Sequence, residues 1–329
     1  MKAVVYTKYG PPDVLQLKEV AKPVPGDNEV LIKVYATTVN RTDCATIRAK
    51  PFFARIFTGI LRPKKEIPGT EFAGRIEAVG EKVKSFKAGD KVFGFNDQGS
   101  SSHSQYLIIS EDKGLTTIPK DLTYEQAAAS TEGAHYAYNS IKNAKIESGQ
   151  RTLVYGATGA IGSAAVQLLK YFNVYVAAVC NTKNIGLVES LGADKVIDYT
   201  KEDFTKDEEK YSFVFDAVGK SSFAKCKLLL QPGGVYISSD LGYMAQNVFL
   251  PLITPIIKPI IGNKKTVSPF PTDIRGSILL IKKLIEQGKF KAVIDREYPF
   301  EQIIEAYKYV EKGQKTGNVV ITVKHDNKT

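Results

Sequence analysis

The sequence predicts an α/β protein with two domains: a barrel-like β domain and a doubly wound parallel sheet. Three observations predict it. Residues 1 to about 122 hold short strand-like runs broken often by glycine and proline. From about Thr123 onward, helical and strand-like patterns alternate. Leu153-Val154-Tyr155-Gly156-Ala157-Thr158-Gly159-Ala160-Ile161-Gly162 joins a buried-type strand to a helix through a glycine-rich turn.

In the first domain, Val30–Val34, Ile76–Val79 and Lys91–Phe95 read as strands. Gly10-Pro11-Pro12, Pro23-Val24-Pro25-Gly26 and Pro68-Gly69 read as turns. In the second, strands are expected at 152–155, 174–179, 195–198, 213–216 and 235–238, with helices between. Amphipathic helices follow near 273–287 and 300–312. A final strand, Val319–Val323, is expected to return to the β domain. The boundaries are therefore 1–122 with 263–329 for the β domain, and 123–262 for the inserted domain. Val248–Ile261 is almost continuously apolar and holds Pro251, Pro255 and Pro259. It is too short to span a bilayer, and its prolines oppose an ordinary helix interior. It reads as a buried, irregular wall of a cleft or subunit contact, with peripheral membrane contact as the alternative.

The chain has 329 residues, 43% hydrophobic and 24% charged, which suits a large globular core. Its net charge of +10 is dispersed, with small clusters at Arg62-Pro63-Lys64-Lys65 and Lys264-Lys265. No nucleic-acid motif accompanies them, so nucleic acid is not an expected partner. A solvated basic surface or attraction to an anionic cofactor or membrane accounts for the charge. Met1–Tyr6 reads directly as a first strand rather than a secretory signal. Cys44, Cys180 and Cys226 are odd in number and widely spaced, so a cytoplasmic location is expected.

The glycine turn carries the first chemistry. A turn feeding a helix N-terminus aims backbone N–H groups at one point, where a pyrophosphate fits. Gly156, Thr158, Gly159, Ala160, Ile161 and Gly162 are the expected contacts. Cofactor choice lies at the end of the next strand, where an acid would hold a free ribose hydroxyl. Here Cys180 is followed by Asn181, Thr182 and Lys183. Two neutral donors and a cation favour the 2′-phosphate of NADPH. Tyr199, after the third strand, offers a further hydroxyl. Asn181 and Thr182 could instead cap the next helix, with Lys183 solvated.

Further segments act together: Pro68-Gly69-Thr70-Glu71-Phe72-Ala73-Gly74, Val79-Gly80, Phe86–Val92, Leu191–Tyr199, Phe215–Gly219 and Pro232-Gly233-Gly234. With the turn, they make the chain resemble a medium-chain dehydrogenase/reductase over nearly its full length. The resemblance implies a GroES-like catalytic domain and a Rossmann domain. Zinc-dependent members carry Cys where this chain has Asn40 and His where it has Thr70, and they add a four-cysteine lobe that is missing here. Without those ligands no catalytic zinc site is expected. The chain therefore resembles the zinc-independent quinone oxidoreductase group, and in particular its chloroplast-envelope homologues.

That resemblance implies hydride transfer from NADPH to a quinone or an α,β-unsaturated carbonyl. It places Asn40 beside the nicotinamide, with a turn-capping Asn after the strand as the alternative. It implies cofactor contacts from Thr131, Val218, Ser239, Leu241 and Asn318. Phe52, Phe53, Tyr243 and Phe270 could line an apolar acceptor cleft or pack in the core. Tyr243 is the candidate proton donor, with bulk water as the alternative. A homodimer through the edge of the parallel sheet is expected. One stretch departs from the group: Thr131-Glu132-Gly133-Ala134-His135-Tyr136 puts Tyr136 where the group has Thr, and adds Glu132. Glu132 is either an acid near the cofactor channel or a solvated loop residue. Competing readings are an enoyl-thioester reductase and a non-catalytic NADPH-binding or membrane-associated protein.

Overall fold

A computed structural model describes residues 1–50, 52, 55–97, 101–240, 246–256, 259–267 and 271–325. The chain forms two compact units: a split unit, Met1–Glu132 with Ile274–Thr329, and an inserted unit, Gly133–Asp273.

The split unit opens with β1 (Lys2–Val5) and β2 (Gln16–Glu19), an antiparallel pair. Next come β3 (Glu29–Val39), β4 (Glu71–Val79), β5 (Lys91–Phe95), β6 (Tyr106–Ser110) and β7 (Leu115–Thr117). β3 is the organising strand. Its first half pairs with β6, and β4 runs antiparallel along most of its length. The β3–β4 register slips at Leu31/Ile32 and Val34/Ala36, irregularities that bend a sheet toward closure. Val30, Ile32, Val34, Phe72, Ile76, Val92 and Leu107 fill the core.

The inserted unit contains β8 (Arg151–Tyr155), β9 (Tyr175–Cys180), β10 (Lys195–Asp198), β11 (Tyr211–Asp216), β12 (Leu230–Ser238) and β13 (Lys265–Thr266). They form one parallel sheet in the order β10-β9-β8-β11-β12-β13. Leu153, Val154, Ala177, Val179, Phe213, Val214 and Phe215 are all buried, as expected where helices cover both faces. Strand order reverses between β8 and β11, so a switch-point crevice lies outside their carboxyl ends.

The chain then returns to the split unit through the helix Ile274–Glu286, β14 (Ile294–Pro299), the helix Ile303–Glu311 and β15 (Asn318–Thr322). β15 lies between β14 and β3, parallel to the first and antiparallel to the second.

One expectation is corrected here. The Pro-containing apolar segment is not wholly irregular, and a single chain does not bury it, although a subunit contact still could. Gln246–Ile253 is a helix with Pro251 inside it. Two turns tolerate the one lost backbone bond. Phe249, Leu252, Ile253, Ile256 and Ile260 are exposed on this chain. Among the described residues, no helix is long and apolar enough to cross a membrane.

Candidate active site

The inserted unit supplies the cradle. β8 ends at Tyr155, and the N–H groups of Gly156 and Ala157 donate to Val179 O at 3.2 and 3.1 Å, which fixes the turn to β9. Gly156 has φ +79°, and a Cβ there would lie 2.4 Å from Val218 Cγ1. Gly162 is more restricted, since its Cβ would meet Gly156 O at 2.1 Å. Both positions therefore require glycine. Gly159 caps the helix Ala160–Tyr171. Ser163 N makes the first bond back, to Gly159 O at 2.8 Å. The N–H groups of Ala160, Ile161 and Gly162 precede it, as helix N-terminal donors do. A diphosphate fits this arrangement.

The other expected contacts of this unit gather at the same carboxyl edge. Asn181 follows β9, Tyr199 follows β10, Val218 lies two residues past β11 and Ser239 follows β12. Lys183 and Tyr199 are exposed, while Asn181 and Ser239 are half-buried. The Asp216 carboxylate organises the β11 loop by accepting Val218 N at 3.2 Å and Ser221 N at 2.7 Å.

Asp198, at the end of β10, is an acid that the sequence reading overlooked in this region. It accepts Thr182 Oγ1 at 2.5 Å and Thr200 Oγ1 at 2.7 Å. Those bonds, Thr182 first, hold its carboxyl below the usual range. The Thr182 hydroxyl proton is thus committed to Asp198. Lys183 and Tyr199 are exposed donors, and Asn181, whose Oδ1 accepts Asn184 Nδ2 at 2.7 Å, lies half-buried at the same sheet edge.

The split unit holds a buried polar cluster. Glu71, at the start of β4, accepts Asn40 Nδ2 (2.7 Å) and Thr38 Oγ1 on Oε2, and Thr131 Oγ1 (2.7 Å) and Glu132 N (2.6 Å) on Oε1. Asn40 also donates to Asn318 Oδ1 at 3.4 Å. Asn318 in turn donates to Ala129 O and Val293 O at 3.0 and 3.1 Å. The structure therefore brings the predicted Asn40, Thr131 and Asn318 together around an acid. Asn40 sits at the N-cap of the helix Arg41–Arg48, but the capping bond there comes from Asp43, whose Oδ2 accepts Asn40 N at 2.8 Å; the Asn40 side chain makes none. Asn40 Oδ1 is buried with no hydrogen-bond partner, an acceptor that suits an amide donor from a ligand.

Glu132 is buried, which removes the solvated-loop alternative. It accepts the hydroxyls of Thr42 and Thr70, the latter at 3.1 Å. Burial, then the Glu71 charge, lifts it to about 7. Burial also lowers Lys315 to about 8 against the pull of Glu132 and Glu71. Sequence reading missed Lys315, because nothing local distinguishes it from the chain's many other lysines.

Phe52 is 74% exposed, with the Arg55 guanidinium 4.8 Å from its ring centroid. It is not a core residue. Phe53, Leu241, Tyr243 and Phe270 lie outside the described residues. Among the described residues, no group of three or more His, Cys, Asp or Glu side chains is placed to hold a metal ion.

Residues 26–123 match the alcohol dehydrogenase GroES-like domain family, and residues 191–321 match the zinc-binding dehydrogenase family. The chain is 33% identical over 335 residues to 2-methylene-furan-3-one reductase of Solanum lycopersicum, covering 98% of this chain and 79% of that one. It is 32% identical over 338 residues to the chloroplastic NADPH-dependent alkenal/one oxidoreductase of Arabidopsis thaliana, with the same coverage. It is 30% identical over 346 residues to the chloroplastic quinone-oxidoreductase homolog of Spinacia oleracea, covering 98% of both chains. The solved quinone oxidoreductase from Coxiella burnetii shares the fold, with a TM-score of 0.83 at 23% identity over 98% of this chain and 99% of that one.

Relatives correct the expected cytoplasmic location: the Arabidopsis thaliana and Spinacia oleracea proteins above are named chloroplastic, and further relatives are named for the chloroplast envelope or the mitochondrion. Cysteine usage could not have separated these compartments. All three cysteines are free and buried, and free thiols persist in any reducing compartment. The two sheets, the glycine cradle and the full-length relatives lead to one conclusion: the chain belongs to the medium-chain dehydrogenase/reductase family, in its zinc-independent quinone oxidoreductase group.

Proposed function

We propose that this protein is an NADPH-dependent oxidoreductase that reduces a quinone or an α,β-unsaturated carbonyl. The observation that carries the reading is the cradle at Gly156–Gly162, where a Cβ added at Gly156 or Gly162 would collide with a packed side chain or with backbone. Its N–H donors suit the diphosphate, and Lys183 and Tyr199 suit the 2′-phosphate. Asn40, Thr131 and Asn318 are assigned to the nicotinamide end. When bound, NADPH supplies the hydride. The relatives' names point to acceptors that are already electron-poor. Such acceptors need hydrogen bonds and a proton as negative charge develops on them, and the split unit's polar cluster can provide both.

The test is loss of NADPH absorbance with a quinone, an enone and an enoyl thioester, run beside NADH and with a chelator. Turnover is expected with quinone or enone, preferring NADPH and indifferent to the chelator. Faster turnover of the thioester would favour enoyl reduction. Tight NADPH binding without turnover would favour a binding protein.

We also propose a homodimer. Phe249, Leu252, Ile256 and Ile260 are exposed. Thr254 Oγ1 lies 3.3 Å from Thr266 Oγ1 of the edge strand β13, which ties this apolar run to a sheet edge. A second copy joined at that edge would cover it.

A further inference from the structure

Among the described residues, the split unit buries three carboxyl groups, Asp43, Glu71 and Glu132, near one ammonium, Lys315. A buried carboxylate without a counter-charge is strongly disfavoured. One cation cannot hold three anions, so the acids must retain protons among them. Their partners sort them. Glu71 faces Asn40 Nδ2 and Glu132 N, groups that can only donate, so it is the anion. Asp43 accepts Asn40 N on Oδ2, while its Oδ1 is buried without a partner. An unpartnered oxygen is tolerated on a neutral acid far better than on a carboxylate.

Glu132 differs from both. Each Glu71 oxygen shares its hydroxyl partner, Thr38 or Thr131, with an N–H that can only donate, whereas the hydrogen bonds of Glu132 are to hydroxyls: Thr42 at Oε1 and Thr70 at Oε2. A hydroxyl donates or accepts equally well. Glu132 can therefore gain or lose a proton without orphaning a neighbour. Thr70 is buried, whereas Thr42 is only half-buried and offers a way out of the cluster.

We propose that Glu132, acting through the Thr42 hydroxyl, delivers the proton that completes reduction of the acceptor. This rests on the reductase reading above. Hydride addition breaks the acceptor's π bond and leaves one negative charge, as an enolate or a hydroquinone anion. The Thr42 O–H bond breaks as its proton joins that anion. The Glu132 O–H bond breaks as its proton restores the Thr42 hydroxyl. Glu132 remains as a carboxylate near Lys315 and takes a proton from water before the next turnover. Because it acts through Thr42, Glu132 is a positioning residue. The groups that bias its proton are Glu71 on β4, Asp43 on the helix Arg41–Arg48, and Lys315 before β15. Their balance, with burial, puts Glu132 near neutrality.

The experiment compares kcat against pH, with NADPH and an enone, for wild type, Glu132→Gln, Thr42→Val and Thr42→Ser. Wild-type kcat should fall as pH rises past about 7. Glu132→Gln and Thr42→Val should lose that limb and about 100-fold in kcat at acidic pH. Their affinity for NADPH, read by fluorescence, should be unchanged, and Thr42→Ser should recover most of the rate. A Glu132→Gln enzyme within about twofold of wild type, with the limb intact, would overturn the inference alone. A wild type inert toward every acceptor would overturn the reductase reading with it. A readout independent of turnover is carbon-13 NMR titration of the Glu132 carboxyl in ligand-free wild type. A midpoint near 7 is expected, and one close to the ordinary 4.5 overturns the inference even if the variants do not fold.

Discussion

Single buried side chains set the acid–base behaviour of this protein. His103 Nε2 lies 2.8 Å from Thr38 O, which only accepts, so Nε2 carries the hydrogen. Nδ1 then accepts from Tyr307 OH at 3.1 Å. Burial lowers His103 from 6.5 to about 4, and His135 likewise. Between those values the unfolded chain binds protons that the native state does not. Stability must therefore fall as pH drops through that window. Glu132 has the opposite sign. Its native value is about 7 against 4.5, so the native state holds the extra proton and stability falls as pH rises through that range. Thermal melts across both windows should show the acid loss reduced in His103→Gln and the alkaline loss reduced in Glu132→Gln. Slopes identical to wild type would contradict the assignment. These roles were hidden in the sequence. His103 bonds residues 65 and 204 positions away, and its neighbours in sequence carry no trace of either. Glu132 stood out only as a departure from its group's pattern, while Glu71 was visible only as part of a turn motif.

At the scale of elements, the sequence was more legible. The expected strands near 152, 174 and 213 became β8, β9 and β11 with ends shifted by a residue or two, and 195–198 became β10 unchanged. A parallel strand buried on both faces needs an unbroken apolar run, which is visible without any partner. The glycine turn was legible for a related reason, since its contacts lie within a few residues. Its test separates collision from strain. Gly162→Ala would set a Cβ 2.1 Å from Gly156 O. We expect it to weaken NADPH binding at least about tenfold, roughly 1.4 kcal/mol, in a fluorescence titration. Gly149 has φ +80° and nothing within 4 Å of an added Cβ. Gly149→Ala should cost about 1–2 kcal/mol of stability and leave NADPH affinity intact. Equal affinities for the two variants would argue against the cradle. Asp198 was not legible, because only the pairing of β10 with β9 brings it to Thr182.

At the scale of the whole molecule, association is the open property. Wild type should sediment as a dimer. Leu252→Lys combined with Ile256→Lys should yield monomers with little change in melting temperature, since both side chains are exposed on one chain. A monomeric wild type would sink the dimer. Salt-sensitive pelleting with anionic vesicles would assign the apolar run to a membrane surface instead. Composition alone could not decide this, because a net charge of +10 suits a solvated surface, an anionic cofactor and an anionic membrane alike.

The seat of β15 governs how the protein can be made. Val39 on β3 pairs with Val319 on β15, 280 residues later. At about 5–20 residues per second, a ribosome needs roughly 15–60 s to produce that partner. Until β15 emerges, the Ala36–Val39 half of one β3 edge stays unpaired, the condition in which strands recruit foreign strands. The entire inserted sheet is synthesised and free to fold during the delay. Biogenesis should therefore proceed from the middle outward, with the split unit held open, and dependent on chaperones, until β15 emerges.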